Sequence, residues 1–254
     1  MALASHPTFD AGLRTGACRL RPGRGAGENE VVYEQRPSRL PGAVRWSSSG
    51  GGPSRVLPDG CLDLLWYGGA LVVAGPDTTA FMADETPGGV TGLRFAPGVG
   101  PGVFGVPAHE LRDRRVRLDE LWPSAQVRRL HERIAAAPDR GRFLEGVAGR
   151  RLSVSPPDPL IRGIAGLLAA GTSVARAASI VSLSERQLHR RSLDAFGYGP
   201  KTLARILRLG RALDLARTGV DATDCALRTG FTDQAHLARD VRALTGTTLG
   251  TLLS

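Results

Sequence analysis

Residues 221–246 read DATDCALRTGFTDQAHLARDVRALTG, and this stretch carries the strongest fold signal in the chain. Small and apolar residues at 222–227 fit one short helix, which Gly230 would end because glycine readily adopts the left-handed conformation of a helix C-terminus. Thr232 or Asp233 can cap a second helix, since a short side-chain oxygen there accepts a free backbone N–H.

The second predicted helix has a buried face and a polar face. Three apolar residues recur at helical spacing on the first, namely Leu237, Val241 and Leu244. Three polar residues remain on the outward face, namely Gln234, His236 and Arg239. A short helix, a turn with glycine and a second helix with outward polar residues are typical of a helix-turn-helix unit.

The same pattern occurs a second time upstream. A shift of 49 residues places Ala226, Leu237, Arg239 and Gly246 on Ala177, Leu188, Arg190 and Gly197. We therefore predict a first unit with a helix near 174–181, a cap at Ser184 and a second helix that ends near Phe196.

A long helix is predicted between the two units, from Pro200 to the residues before Gly219. About 18 residues at 1.5 Å each give a spacer of roughly 27 Å. Successive major grooves on one face of a duplex are about 34 Å apart. The spacing therefore favours one molecule that contacts two adjacent major-groove segments.

Residues 160–254 resemble the DNA-binding domain of the AraC/XylS family of transcription regulators, through SERQLHRR (184–191), FGYGPKTLARILRLGRAL (196–213) and GFTDQAHLARDVRALTG (230–246). The resemblance implies DNA contacts by the outward residues of both recognition helices: Arg186, His189, Arg190, Gln234, His236 and Arg239. Candidate phosphate contacts are Ser184, Lys201, Arg205 and Thr232, with Arg208 and Arg211 further along the connecting helix. The chain departs from the family pattern at Ser192, where a buried aromatic residue is usual, and at Thr248-Leu249, where Thr-Pro is usual.

The front half of the chain has a different hydrophobic pattern. Short apolar runs occur at 43–46 (AVRW), 61–67 (CLDLLWY), 70–75 (ALVVAG) and 90–95 (VTGLRF), separated by segments rich in glycine and proline. This pattern predicts a small β domain, either a sandwich or a barrel. We predict that residues 97–107 form an ordered loop, because they are too rich in glycine and proline for a helix.

The segments PAHELRD and RLDELWP are predicted to form helical turns, and 124–137 and 140–152 two short amphipathic helices. The helices at 124–152 could pair between subunits through Val127, Leu130 and Ile134, or pack back on the β domain. The fold class is α+β. The predicted organisation is disorder over 1–30, a regulatory domain at 31–122, a helical connector at 123–154, a proline-rich linker at 155–159 and the DNA-binding domain at 160–254.

Residues 31–122 also resemble the amino-terminal sensor-like domains found with this DNA-binding domain in many regulators. The shared motifs are LPDGCLDLLW, AGPDT, GLRFAPG and FGVPAHELRDRRVRLDELW. The resemblance implies a cupin-like fold and a regulatory role without naming an effector.

This front half contains a group of three acidic residues and one cysteine: Asp59, Cys61 and Asp63 in PDGCLD, and Asp77 in AGPD. A metal site is disfavoured, because the five histidines do not pair at ligand spacing, and we expect no cofactor. Asp59 is interpreted as a turn residue before Gly60.

Aromatic side chains at Trp46, Trp66, Tyr67 and Phe95 are interpreted mainly as core, with the lining of a small-molecule pocket as the alternative. Arg94 could meet an anionic ligand, but an ordinary surface or salt-bridged arginine is favoured.

Composition narrows the class of protein. The formal net charge of +9 over 254 residues favours a polyanionic partner. Three cysteines lack C-x-x-C spacing, no apolar run approaches the roughly 18 residues that span a membrane, and the first 30 residues lack a signal-peptide pattern. We expect a cytoplasmic protein that acts without a membrane.

We therefore predict a sequence-specific DNA-binding transcription regulator that is not an enzyme and whose partner is double-stranded promoter or operator DNA. A small-molecule effector, a homodimer and, for an activator, RNA polymerase are further expected partners. One alternative is a methylated-DNA repair enzyme, which would need an activated cysteine. Another is a protein-interaction module that no longer binds DNA.

Overall fold

The computed structural model describes residues 32–49, 53–84 and 88–253. The predicted disorder of residues 1–30 lies outside the described residues. The fold is mixed α+β, as predicted, with antiparallel β-sheets in the N-terminal part and helices in the C-terminal part.

Within these described ranges, eight strands form two antiparallel sheets: β1 Val32–Pro37, β2 Ala43–Ser49, β3 Ser54–Val56, β4 Leu62–Tyr67, β5 Ala70–Ala74, β6 Phe81–Ala83, β7 Val90–Phe95 and β8 Arg115–Arg117. Six of them lie in the order β1-β2-β7-β4-β5-β8, while β3 pairs with β6 in a separate two-stranded ribbon. The four apolar runs seen in the sequence are β2, β4, β5 and β7, which confirms those predictions. The other four strands are short or polar and give no comparable sequence signal.

The predicted loop at 97–107 is wrong, because helix α1 spans Gly100–Phe104. Pro101 suits the first turn, where no intrahelical N–H is needed, and Gly105 ends the helix in the left-handed conformation with φ of 80°. Burial of Val103 and Phe104 gives this short helix its packing. Tertiary contacts therefore outweigh the glycine-rich composition.

Two more helices follow in the N-terminal part, α2 at Ser124–Ala135 and α3 at Arg140–Val154, after 3-10 turns at Ala108–Glu110 and Leu118–Glu120. Val127, Leu130 and Ile134 are all buried in the core of the β domain. Of the two alternatives for these helices, packing back on the β domain is therefore correct, and the three residues are unavailable as a subunit interface.

The remaining helices are α4 Pro159–Ala169, α5 Val174–Ile180, α6 Glu185–Phe196, α7 Pro200–Arg217, α8 Ala222–Thr229, α9 Gln234–Thr245 and α10 Leu249–Leu253. Helices α6 and α9 both have 12 residues and begin 49 positions apart, so the predicted internal repeat is confirmed. The predicted long helix between the two units is α7, with 18 residues.

Most of the buried apolar residues that the structure describes fall into two clusters. One unites the large sheet with α1 to α3 and contains Trp66 and Phe95, in agreement with their prediction as core. The other unites α4 to α10 and also takes in Leu57 from the β domain. The N-terminal part is therefore packed directly against the helical part. Within the described residues, no helix is both long enough and apolar enough to cross a membrane.

Candidate nucleic-acid interface and adjoining cavity

Both recognition helices begin at a capping side chain and end at glycine. Ser184 Oγ accepts a hydrogen bond from Gln187 N at 3.2 Å, and the Gln187 side chain accepts one from Ser184 N at 2.9 Å. Asp233 caps α9 by accepting from His236 N at 2.6 Å. Gly197 and Gly246 close the two helices with φ of 84° and 71°. Equivalent caps give the two helices the same length and register.

The outward arginines occupy the same position in the two helices. Arg190 is the sixth residue of α6 and Arg239 the sixth residue of α9, and both side chains are exposed. Each lies two residues after a fully buried leucine, Leu188 or Leu237. The buried leucine therefore sets the direction of each helix, so that the arginine face points away from the core.

The other predicted DNA contacts differ in their surroundings. Arg186, His189 and Gln234 are exposed. Gln234 Oε1 lies 3.3 Å from the donor Thr223 Oγ1. His236 is half-buried, because its ring meets Phe231 edge-on at 5.2 Å and Thr232 N donates to its Nδ1 at 3.4 Å. The ring of His236 thus helps to shape the start of α9, and its predicted contact with DNA stays a prediction.

Among the predicted phosphate contacts, Lys201 is exposed in the first turn of α7, and Ser184 and Thr232 are exposed near the starts of α6 and α9. Arg205 already has a protein partner, since its Nη2 lies 2.8 Å from Asp240 Oδ1. Arg208 donates to the other oxygen of Asp240 at 3.0 Å. These two arginines hold α9 against α7, which sequence reasoning missed.

Arg211 is engaged in the same way. It donates to the carbonyl oxygens of Ala169 and Thr229 at the ends of α4 and α8. Burial, followed by the nearby charge of Arg208, lowers the pKa of Arg211. The arginine face of α7 therefore connects helices of the domain.

The N-terminal domain contacts the C-terminal end of each recognition helix. At α9, Ala80 N donates to Leu244 O at 2.7 Å and Arg55 Nη1 donates to Thr245 O at 2.6 Å. At α6, Arg112 Nη1 donates to Gly197 O at 3.4 Å. Backbone carbonyls at a helix C-terminus lack intrahelical partners and attract positive charge, so these contacts stabilise both ends.

A cavity of about 260 Å³ lies between the large sheet and the β3–β6 ribbon. The alternation of side chains along a strand explains which residues line the cavity, because successive side chains point to opposite faces of a sheet. On β4, Asp63, Leu65 and Tyr67 line the cavity, whereas the intervening residues belong to the apolar core. The sequence predicted a small-molecule pocket only as the alternative role of four aromatic residues, and it did not predict that alternate residues of β4 form the wall.

Trp46 also faces this cavity, so it is both buried, as its interpretation as core predicted, and part of the pocket that was the alternative. Tyr67 is half-buried and lines the same cavity, so the pocket alternative is correct for Tyr67. Gly92 on the neighbouring strand makes room for the indole ring of Trp46. A Cβ at Gly92 would lie 2.3 Å from that ring. The ring donates through Nε1 to Asp63 Oδ1 at 2.6 Å.

Charged residues form one wall of the cavity. The Nε of Arg94 lies 3.2 Å from Asp63 Oδ1, and its Nη1 lies 3.4 Å from Asp59 Oδ2. Arg115 makes a bidentate salt bridge with Asp77, in which Nη1 donates to Oδ1 at 2.8 Å and Nη2 donates to Oδ2 at 2.6 Å. Arg94 is salt-bridged, as the favoured interpretation predicted.

Burial is the main cause of the raised pKa values of two carboxyl groups in this wall. Desolvation raises the pKa of Asp63 in spite of Arg94, and it raises the pKa of Asp77 in spite of Arg115. Burial alone would lower the pKa of Arg94, but Asp63 and Asp59 outweigh it and the pKa is raised. Arg94 therefore stays charged.

Asp59 has the predicted turn role, since its Oδ1 accepts from Cys61 N at 2.9 Å beside Gly60, whose φ is 82°. The thiol of Cys61 lines the cavity, and burial followed by Asp59 raises its pKa well above the usual value. Over the described residues, no group of three or more metal-ligating side chains comes together.

Comparison with known proteins gives two family matches. A helix-turn-helix domain family matches residues 177–254, and a domain family of unknown function matches residues 43–117. No curated protein sequence matches the chain.

Solved structures that are similar to most of the chain include two of ToxT. ToxT from Vibrio cholerae O395 is 10% identical, with 83% of this chain and 98% of that chain covered and a TM-score of 0.43. Unsaturated fatty acid bound wild-type ToxT from Vibrio cholerae strain SCE256 is 10% identical, with 90% and 97% covered and a TM-score of 0.44. At TM-scores this low, neither likeness supports an inference about ligand or mechanism.

Proposed function

We propose that this chain, which belongs to the AraC family of DNA-binding regulators through its C-terminal helix-turn-helix domain, reads two adjacent major-groove segments of an operator. One observation carries the proposal. Arg190 and Arg239 occupy the same exposed position in two recognition helices that a single continuous helix, α7, connects. At 1.5 Å per residue, the 18 residues of α7 extend about 27 Å, a length suited to successive grooves about 34 Å apart.

Direct readout follows from the chemistry of the exposed side chains. Arginine can donate two hydrogen bonds to O6 and N7 of guanine, and glutamine can pair in a similar way with adenine. We assign Arg190 and Arg239 to guanine contacts and Gln234 to an adenine contact. Arg186, His189 and His236 are supporting contacts, and Ser184, Lys201 and Thr232 at helix starts suit phosphate oxygens.

The N-terminal domain would regulate the DNA-binding domain through its contacts with the C-terminal ends of the two recognition helices. Its ribbon β3–β6 carries Arg55 and leads to Ala80, and these two residues bond the last turn of α9. The same ribbon forms one side of the cavity. A ligand that shifts the ribbon would therefore shift α9. We place the domain boundary in the segment 155–159, between α3 and α4.

This function needs binding without catalysis. A cysteine nucleophile of the kind used in DNA repair requires a lowered thiol pKa or an adjacent base. The raised pKa of Cys61 is the opposite condition, and Cys225 is fully buried. Of the cysteines that the structure describes, neither Cys61 nor Cys225 therefore supports a repair enzyme as a competing function.

The direct test is DNA binding by the full chain with Arg239→Ala, on sites found by genomic binding-site mapping. Loss of a two-pronged guanine contact is expected to cost about 1–3 kcal/mol and to relax specificity at one base pair. Arg190→Ala should do the same at a second base pair, about one duplex turn away.

Arg128→Ala is the matched control, because Arg128 is an exposed arginine on α2, far along the chain from both recognition helices. It removes the same charge and should leave the affinity within twofold. Unchanged specificity in both Arg190→Ala and Arg239→Ala would contradict the proposed readout, and unchanged mobility of wild type on every DNA at low salt would contradict DNA binding altogether.

A further inference from the structure

The cavity between the large sheet and the ribbon has a wall whose charges do not balance. Among the described residues that line it are three carboxylates, Asp59, Asp63 and Asp77, and two guanidinium groups, Arg94 and Arg115. With all five ionised, the wall carries one excess negative charge. The rest of the lining is mainly aliphatic and aromatic.

Both guanidinium groups are already paired with carboxylates, so neither carries a free positive charge for a ligand anion. Arg115 holds Asp77 through two short contacts and also lies over the Phe81 ring, 4.1 Å from its centroid. Arg94 is held by Asp63 and lies 5.7 Å from the centroid of the Trp46 ring. An entering carboxylate or phosphate would have to displace a buried carboxylate or add to the excess negative charge, and both are costly in a desolvated site.

Asp59 is the least satisfied of the three carboxylates. Its Oδ1 accepts one backbone hydrogen bond, and its Oδ2 lies 3.4 Å from Arg94 Nη1, beyond good hydrogen-bond geometry for a charged pair. Its side chain is 30% exposed, whereas those of Asp63 and Asp77 are about 10% exposed. Asp59 is therefore the carboxylate that a ligand can reach.

Arg94 supplies a second sign of a ligand. Its side chain is nine-tenths buried, and its Nη1 has only the ion-pair contact with Asp59 at 3.4 Å and no hydrogen-bond acceptor among the described residues. A buried donor without an acceptor is costly, and such groups recur at sites where a water or ligand supplies the missing oxygen. The donor and Asp59 lie side by side in the cavity wall.

Aromatic rings complete the chemistry. Tyr33, Trp46 and Tyr67 line the cavity beside the charged wall, and the Tyr33 and Trp46 ring centroids are 5.8 Å apart. Aromatic faces attract ammonium groups and also pack against flat apolar bodies. The cavity volume of about 260 Å³ suits a small molecule.

We infer that this cavity binds a small, mainly apolar amine, whose ammonium group pairs with Asp59 and whose neighbouring hydroxyl or other oxygen accepts from Arg94 Nη1. Carboxylates and phosphates of the same size are excluded. The inference rests on the proposed function only in calling this amine the effector, because the binding itself requires no DNA.

The test compares three probes of matched size on the full chain: 2-phenylethylamine, 2-phenylethanol and phenylacetate. The amine should raise the unfolding temperature of the wild-type protein in a concentration-dependent way, the alcohol less, and phenylacetate not at all. Quenching or enhancement of tryptophan fluorescence by the amine should disappear in Trp46→Phe, because Trp66 and Trp122 belong to the apolar core.

Asp59→Asn is the decisive variant, because asparagine keeps the oxygen that accepts from Cys61 N and removes only the charge. It should weaken amine binding at least tenfold, whereas Asp119→Asn, at a carboxylate beside Arg117 outside the cavity, should leave amine binding unchanged. An equal response to phenylacetate, full amine binding by Asp59→Asn, or no response to the amine would overturn the inference. Since DNA binding is measured separately, such a result leaves the proposed function standing.

Discussion

The two helix-turn-helix units share an outer face but differ in how the recognition helix is anchored. In the second unit, Asp240 of α9 joins Arg205 and Arg208 of α7, and the next residue, Val241, is fully buried. The equivalent positions of the first unit are Arg191, which is exposed, and Ser192, which is fully buried. The two units therefore share their caps and their outward arginine. They differ in the contact that holds the recognition helix against α7, which Asp240 makes in the second unit and Arg191 does not make in the first.

Each unit compensates in its own way for this difference. The first unit inserts Phe196, the last residue of its recognition helix, and Tyr198, two residues later, into the core of the helical domain. The second unit has Thr245 in place of Phe196, and its hydroxyl bonds back to Val241 O at 2.7 Å. The second recognition helix is thus anchored by charge, and the first by aromatic packing at its end.

The largest expected effect comes from removing the charged anchor. Breaking a buried pair costs about 3–5 kcal/mol, but Arg205 and Arg208 are partly exposed and regain water, so Asp240→Ala should lower the free energy of unfolding by about 2–3 kcal/mol. Arg191→Ala, at the equivalent position of the first unit, should change it by less than about 0.5 kcal/mol. Urea unfolding of both variants measures the difference, and equal costs would show that the two anchors are alike.

The pH dependence of the same anchor sharpens this comparison. Burial opposes ionisation of Asp240, but hydrogen bonds from Arg205 and Arg208 outweigh it and lower the pKa of that carboxyl. Its contribution is therefore complete above the unfolded pKa of about 3.9 and is lost as the pH falls below that value. The stability difference between wild type and Asp240→Asn should be constant from pH 7 to 5 and smaller at pH 3. A difference that is as large at pH 3 as at pH 7 would contradict the ion-pair explanation.

Local sequence signals account for what could be predicted in the helical domain. The caps at Ser184 and Asp233, the glycine ends and the register of Arg190 with Arg239 each depend on residues within one helix and its neighbours. The Asp240 anchor could not be predicted in this way, because an acidic residue on an amphipathic helix is ordinarily solvated and its partners lie 32 and 35 residues away.

The β domain shows the same limit in another form. Nearly all of the run CLDLLWY is apolar, so the alternation that separates the two faces of β4 is hidden. Trp66 therefore could not be distinguished from Trp46 and Tyr67, although only the latter two face the cavity. The cavity itself is formed by strands that are far apart in sequence, and only the tertiary fold brings Asp59, Arg94 and Arg115 together.

A smaller effect on the free energy of unfolding is expected at Ser192 and Val241, the equivalent buried positions of the two units. Its sign should differ between them. Ser192 Oγ has no hydrogen-bond partner among the described residues, so Ser192→Ala removes a desolvated polar group and should stabilise the protein by about 1 kcal/mol. Val241→Ala deletes two buried methyl groups and should destabilise it by about 2 kcal/mol. The same new residue thus moves the urea midpoint in opposite directions. Destabilisation by Ser192→Ala would indicate that the hydroxyl has a partner.

The smallest effect concerns the contacts from the N-terminal domain to the two recognition helices. Arg55 donates to the last turn of α9 at 2.6 Å, whereas Arg112 reaches the end of α6 only at 3.4 Å, so the second unit is held more firmly. Because a held helix needs less ordering when it enters the groove, Arg55→Ala should weaken operator binding about fivefold, which corresponds to about 1 kcal/mol. Arg112→Ala should change it less than twofold, as should Arg36→Ala on the edge strand β1. Unchanged or tighter binding by Arg55→Ala would mean that the contact does not prepare α9 for DNA, and the two units would then be equally independent of the N-terminal domain.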